Sequence, residues 1–183
     1  MLTFNFDTRA LLSALEQYKP ISVSENDSRL RIKDFVSNNR HYCDRNNFEA
    51  HITASAWITS REKTQALLLH HKKLDIWIQP GGHIEASDLT LEGACLRELK
   101  EETGLTDAVL VSPGIFDVDI HQIPARKKES THFHFDIRLW FESETMAIQK
   151  NDEAHDLAWF DLDHIKQVTQ DPSVLRMVEK TSS

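Results

Sequence analysis

The segment THFHFDIRLWF, residues 131–141, sets Phe133, Phe135, Ile137, Leu139 and Phe141 against His132, His134, Asp136, Arg138 and Trp140. Strict alternation of this kind is satisfied by a strand, whose side chains point to opposite faces in turn. HITASAWI, residues 51–58, repeats the pattern, with Ile52, Ala54, Ala56 and Ile58 on one side. Between the two runs lies a segment ending in RELKEETGL, where the spacing changes to three and four and predicts a helix. Shorter strand signals occur in ALLLHH, in LDIWI, at 108–112, at 115–123 beyond Pro113-Gly114, and at 157–160. A chain with strands on both sides of a helix, and helical pieces at its end, is expected to be α/β: a mixed sheet sandwiched by helices.

The start of the chain reads differently. In DTRALLSALEQY, Leu11, Leu12, Leu15 and Tyr18 recur at helical spacing, Asp7 or Thr8 can cap, and Pro20 stops the helix. SENDSRLRIKDFV offers a second helix with Leu30, Ile32, Phe35 and Val36 as its apolar positions. Residues 1–47 are therefore expected to be a helical extension packed on a main domain at 48–183. The pieces DLDHIKQV and PSVLRMVEK read as C-terminal helices. A length of 183 residues suits one such domain with a small appendage.

Composition excludes several classes. With 40% hydrophobic and 27% charged residues, the chain reads as globular. No apolar run approaches the roughly 20 residues of a membrane span, so no membrane partner is expected. The first residues lack a basic region followed by an apolar core, so no secretory signal is read there. Two cysteines, Cys43 and Cys95, do not make a disulfide framework, and a reducing, cytoplasmic setting is the expectation. The net charge of −8 argues against long nucleic acid as a partner. A small anionic substrate is compatible with it, because a bound cation can reverse the field in one cleft.

Chemistry concentrates in Gly81–Leu105, GGHIEASDLTLEGACLRELKEETGL. On a helix, Glu98, Glu101 and Glu102 fall within a sector of roughly 100°, with Arg97 one turn from Glu101. Leu96, Leu99 and Cys95 occupy the other side and face a core. An acidic run alone can be a solvated face. Three carboxylates on one face are also a natural host for a hard divalent cation, Mg²⁺ or Mn²⁺. Gly81-Gly82 permits close approach of a ligand, Gly104 suits a left-handed helix end, and Asp88 or Thr90 can cap the start.

This stretch resembles the Nudix box, G-x5-E-x7-R-E-U-x-E-E-x-G-U, where U is a bulky aliphatic residue. Arg97, Glu98, Leu99, Glu101, Glu102, Gly104 and Leu105 match its second half residue for residue. The first half departs: Asp88 stands where the family has Glu, and eight residues, not seven, separate it from Arg97. That is a one-residue insertion before the helix, and it leaves open whether Asp88 or Glu92 has a role of its own. Trp77, a few residues before Pro-Gly-Gly, is similar to the family as well.

The resemblance implies a Nudix-like α/β/α sandwich and a hydrolase that cleaves a nucleoside diphosphate linked to another moiety by attack of water on phosphorus. It implies Glu98 and Glu102 as direct metal ligands, Glu101 as a third, and the Gly82 carbonyl as another. Arg97 would orient Glu101 without touching the metal. The general base is expected to be Glu98 or, in a later loop, Glu153 of NDEAHDLAWF. The alternative from a different class is a Nudix-fold module that binds a nucleotide-like ligand without turnover.

Two features suggest a substrate pocket. Arg126, Lys127 and Lys128 form a basic loop in an acidic chain, suited to phosphates or simply solvated. His132 and His134, with His121 nearby, share a sheet face with Asp136 and could contact a substrate or a metal. The expected partner is a small phosphorylated substrate; the helical segment 1–47 could equally serve a homodimer interface, and the sequence leaves the oligomeric state open.

Overall fold

The structure, a computed structural model, describes residues 7–72, 74–125, 130–152 and 154–182. The helices are α1 (Thr8–Gln17), α2 (Val23–Asn38), α3 (Leu91–Thr103), α4 (Ile165–Val168) and α5 (Pro172–Thr181). The strands are β1 (Ala50–Ser60), β2 (Gln65–His71), β3 (Ile76–Ile78), β4 (Gly81–His83), β5 (Val109–Leu110), β6 (Asp117–Ile123), β7 (His132–Ser143) and β8 (Ala154–Asp161). They join one sheet in which β3, β2, β1, β7 and β5 are neighbours in that order. Off this path β4 pairs with β1, β6 with β7 and β8 with β2.

The residues gather into two compact units. One comprises Met1–Ala54, Gly82–Ala94 and Gly114–Arg138, the other Ser55–Gly81, Cys95–Pro113 and Leu139–Ser183. In the first, Asp7 caps α1 by accepting from the amides of Arg9 and Ala10, and Leu11 and Leu15 are buried. Ser22 caps α2 by accepting from the Glu25 amide, and Ile32 and Val36 point inward. Leu30 does not: it lies 46% exposed, because the α2 stripe that packs runs through Ile32 and Val36. Helix α2 packs on both α1 and β6. The Tyr18 hydroxyl hydrogen-bonds Glu25 and lies 3.3 Å from the Phe116 carbonyl, which ties the helix ends to the strand region.

In the second unit β2 pairs antiparallel with β8 from Gln65–Asp161 to His71–Ala154, and with β3 on its other edge. Leu67, Leu68 and Leu69 are buried there. Helix α5 opens on an Asp171 cap with Pro172 in its first turn, and the Trp57 indole donates to Thr181 at 2.8 Å.

The alternation in β1 assigns its residues to two faces, and all eleven residues are buried. The strand is interior to the sheet and covered on both sides, so the small polar residues Thr53, Ser55 and Thr59 lie inside too. The Pro-Gly-Gly stretch is read as loop, yet Gly81–His83 is a strand. The Pro80 carbonyl accepts from the Ala56 amide at 2.9 Å, which draws the chain alongside Ser55 and Ala56.

Candidate active site

Helix α3 begins where Thr90 accepts from the Gly93 amide at 3.0 Å, so Thr90 is the cap. Asp88 instead accepts from the Glu85 amide at 2.8 Å and closes the inserted loop. The helix ends at Gly104, whose φ of +74° is the left-handed cap expected of it. Cys95 and Leu99 are fully buried, as their spacing predicts.

The opposite face carries the acids. Arg97 Nη1 donates to Glu98 Oε1 at 3.0 Å and to Glu101 Oε2 at 3.1 Å, so one guanidinium holds two carboxylates. Glu98 is mostly covered, its side chain 14% exposed, and Glu101 is open at 57%. Glu102 is buried, and its Oε2 accepts from the Gly81 amide at 2.8 Å. That bond needs the glycine. A Cβ on Gly81 would lie 2.6 Å from the Ser55 Cα and 2.2 Å from its Oγ. The close approach expected of this glycine is thus to strand β1.

The metal donors this face offers, on Glu98, Glu101 and Glu102, are all carboxylate oxygens. Such a set fits a hard divalent cation of the Mg²⁺ or Mn²⁺ type. Gly82, the other expected ligand, is the middle residue of β4. Glu92 is exposed in the first turn of α3. Glu153, Arg126, Lys127 and Lys128 lie outside the described residues.

Strands β6 and β7 carry polar residues that the sequence leaves unconnected. Their register sets Asp117 opposite Arg138, Asp119 opposite Asp136 and His121 opposite His134. Arg138, 2% exposed, donates to Asp136 at 2.7 Å and to Asp117 at 3.1 Å, with Asp119 at 3.7 Å. Burial alone would lower the Arg138 pKa, but the three carboxylates raise it beyond its ordinary range. Thr53 donates to the remaining oxygen of Asp136 at 2.8 Å. Asp136 is therefore committed to an internal ion cluster. The signal was the repeat D-x-D-x-H facing H-x-H-x-D-x-R, two alternating polar rows that only the strand register joins.

At the other end of these rows the imidazoles collect. His51 stacks on His132 with ring centroids 5.0 Å apart and lies 4.7 Å from His134. His83 is 5.0 Å from His51 and 5.2 Å from His134, and His121 is 5.4 Å from His134. Burial pushes the His51 pKa down to about 4. Burial, and then the neighbouring rings, press His134 far below the usual imidazole range. His51 and His83 had no place in the sequence expectation, since nothing in their local context marks them.

A family model for the NUDIX domain matches residues 49–179. The chain belongs to the Nudix family. Its Nudix fold is shared by a NUDIX-family hydrolase from Clostridium perfringens at 27% identity, covering 72% of this chain and 96% of that one, with a TM-score of 0.52. The NUDIX domain of Shewanella oneidensis NrtR, solved with ADP ribose, is similar at 22% identity, with 81% and 95% coverage and a TM-score of 0.52. A Caenorhabditis elegans Ap4A hydrolase is similar at 18% identity, with 72% and 94% coverage and a TM-score of 0.51. No curated protein matches the chain. As a Nudix hydrolase it is an enzyme of the pyrophosphohydrolase type, acting on acid anhydrides. The expected α/β/α architecture is the Nudix one.

Proposed function

We propose that this Nudix enzyme hydrolyses the diphosphate linkage of a small nucleoside diphosphate–X compound, with a divalent cation held by Glu98, Glu101 and Glu102. The observation that carries this reading is the bonding on α3: Arg97 clamps Glu98 and Glu101 while the Gly81 amide fixes Glu102. All three acidic positions of the second half of the box are thereby held in place. The Gly82 carbonyl is a further proposed ligand, on the family resemblance.

A diphosphate resists hydrolysis because its own charge repels nucleophiles. Mg²⁺ or Mn²⁺, when bound, supplies neutralisation of that charge and acidification of a water. The chain's residues do the rest. Arg97 fixes the directions of two carboxylates, since each of its bonds removes a rotamer choice from a flexible glutamate. Glu98, mostly covered, is the proposed acceptor of the water proton as the new P–O bond forms and the bridging P–O bond breaks. Glu153 is the second proposed base. Arg126 and Lys127 are proposed to meet the substrate phosphates, leaving His132 and His134 a separate part.

The test is a panel of phosphoanhydrides with Mg²⁺ and with Mn²⁺ that includes ADP-ribose, bound in the similar NrtR domain, and Ap4A, named in the similar Caenorhabditis elegans hydrolase. Wild type should release product from at least one. Glu98→Gln should lose about 10²–10⁴-fold in kcat, the range of general acid–base contributions, and Glu102→Gln should weaken metal binding measured separately. No release from any compound with either metal would sink the hydrolase reading. Binding without release would favour the sensor alternative. Full turnover in both Glu98→Gln and Glu153→Gln would move the base elsewhere.

A further inference from the structure

We propose that His51, His132 and His134 form a nitrogen-donor site for one divalent transition-metal ion of the Zn²⁺ type, distinct in its ligands from the carboxylate helix. One ring nitrogen from each of the three lies within 4.8 Å of the others. The Nε2 atoms of His132 and His134 are 3.3 Å apart. Two nitrogens bound about 2.0–2.1 Å from a tetrahedral ion stand roughly 3.4 Å from each other. That edge of the triangle is already at coordination spacing, and the third nitrogen closes by at most about 1.4 Å to join it.

The hydrogen bonds behind the rings fix which atoms carry lone pairs. His132 Nδ1 faces the Ser130 carbonyl at 2.9 Å, and His51 Nδ1 faces the Asn47 carbonyl at 3.4 Å. A carbonyl accepts only from N–H, so in both rings Nε2 is left as the acceptor; His134 Nε2 then donates to His132 Nε2, and ligation moves that proton to His134 Nδ1. A main-chain carbonyl behind an imidazole is also the usual device that orients a metal-ligating histidine. The second observation is independent of the first. His51 is 1% exposed, and its Nε2 is buried with no hydrogen-bond partner among the described residues. An orphaned buried acceptor carries its full desolvation penalty, and a metal bond removes that penalty.

The donor set selects the ion. Three imidazoles suit Zn²⁺, Co²⁺, Ni²⁺ or Cu²⁺, whereas Mg²⁺ takes oxygen ligands. Three protein ligands leave a fourth position for water or a small anion. His83 and His121 enclose the site, their rings 5.2 and 5.4 Å from that of His134. Metal binding here uses the lone pairs that a direct contact between His132 or His134 and a substrate would need. Nothing in this inference draws on Glu98, Glu101 or Glu102, so it stands or falls apart from the hydrolase reading.

The experiment takes the full chain, free of any affinity tag and stripped with chelator, and adds Co²⁺ alone. Wild type should develop the visible d–d bands of low-symmetry four-coordinate Co²⁺ at one equivalent, and Zn²⁺ should abolish them. His132→Gln and His134→Gln should each weaken Co²⁺ binding at least about tenfold, since even loss of a hydrogen-bond partner behind a ligand costs about that much. His121→Gln and Glu102→Gln should leave the bands unchanged. Circular dichroism of the metal-free variants separates loss of a ligand from loss of the fold, and Zn²⁺ should raise the melting temperature of wild type more than that of His132→Gln or His134→Gln. Absence of the bands in wild type would overturn the proposal, as would their persistence in both His132→Gln and His134→Gln.

Discussion

At Gly81 a single hydrogen atom decides whether the acidic helix can be held. Any side chain there would collide with the Ser55 backbone, which is interior strand and cannot retreat. Gly81→Ala should therefore destabilise the protein by at least about 2 kcal/mol, the middle of the ordinary overpacking range. Loosening the Gly81–Glu102 bond should also weaken Mn²⁺ binding. Denaturant melts and a metal titration on the same variant would check both, and an unchanged melt would mean that β4 shifts freely. The need for glycine was legible in the sequence. Its cause was not: the residue that crowds it lies 26 positions earlier, and no local pattern encodes such a meeting. Thr90 and Gly104, by contrast, do what their residue types prescribe, because caps are made within one helical turn.

The β6–β7 hairpin shows what alternation does and does not reveal. Phe135, Ile137 and Phe141 are buried as their period demands. The other row was read as a face open to a ligand, yet His132, Asp136 and Arg138 are buried as well. Period two assigns residues to faces, and coverage of each face depends on what packs against it. The ion cluster around Arg138 should be intolerant of half-removal. Arg138→Met should cost about 3–5 kcal/mol, since it leaves buried carboxylates without their counter-charge. Replacing the arginine together with Asp117 and Asp136 by apolar residues of similar volume should recover part of that loss. Urea unfolding of the two variants measures the difference, and equal stability would show the carboxylates to be solvated. The His51 side of the site was invisible for the same reason as Ser55, since its neighbours come from β4 and β7.

Across the whole chain, the box identified the family because its residues act on one helix and keep their spacing in sequence. The division into two compact units was not legible, as each is assembled from three separate stretches. No helix among the described residues is long and apolar enough to cross a membrane. Both cysteines are buried free thiols, and burial pushes the Cys43 pKa up to about 12. The native protein should thus resist alkylation in mildly alkaline solution and take up two labels only when unfolded. Mass spectrometry after iodoacetamide treatment reads this directly, and rapid labelling of the native chain would show that one unit opens easily.

Strand β1, with both faces covered, has a consequence for folding fidelity. A strand with one wet side is corrected by water when it slips by one position, because its apolar side chains are turned outward. Here a slipped β1 would exchange one buried face for another and water would exert little penalty. Discrimination must come from partners that recognise identity: Thr53 reaching Asp136 at 2.8 Å, and Trp57 reaching Thr181 at 2.8 Å. The polar atoms of this strand then serve as its proofreading.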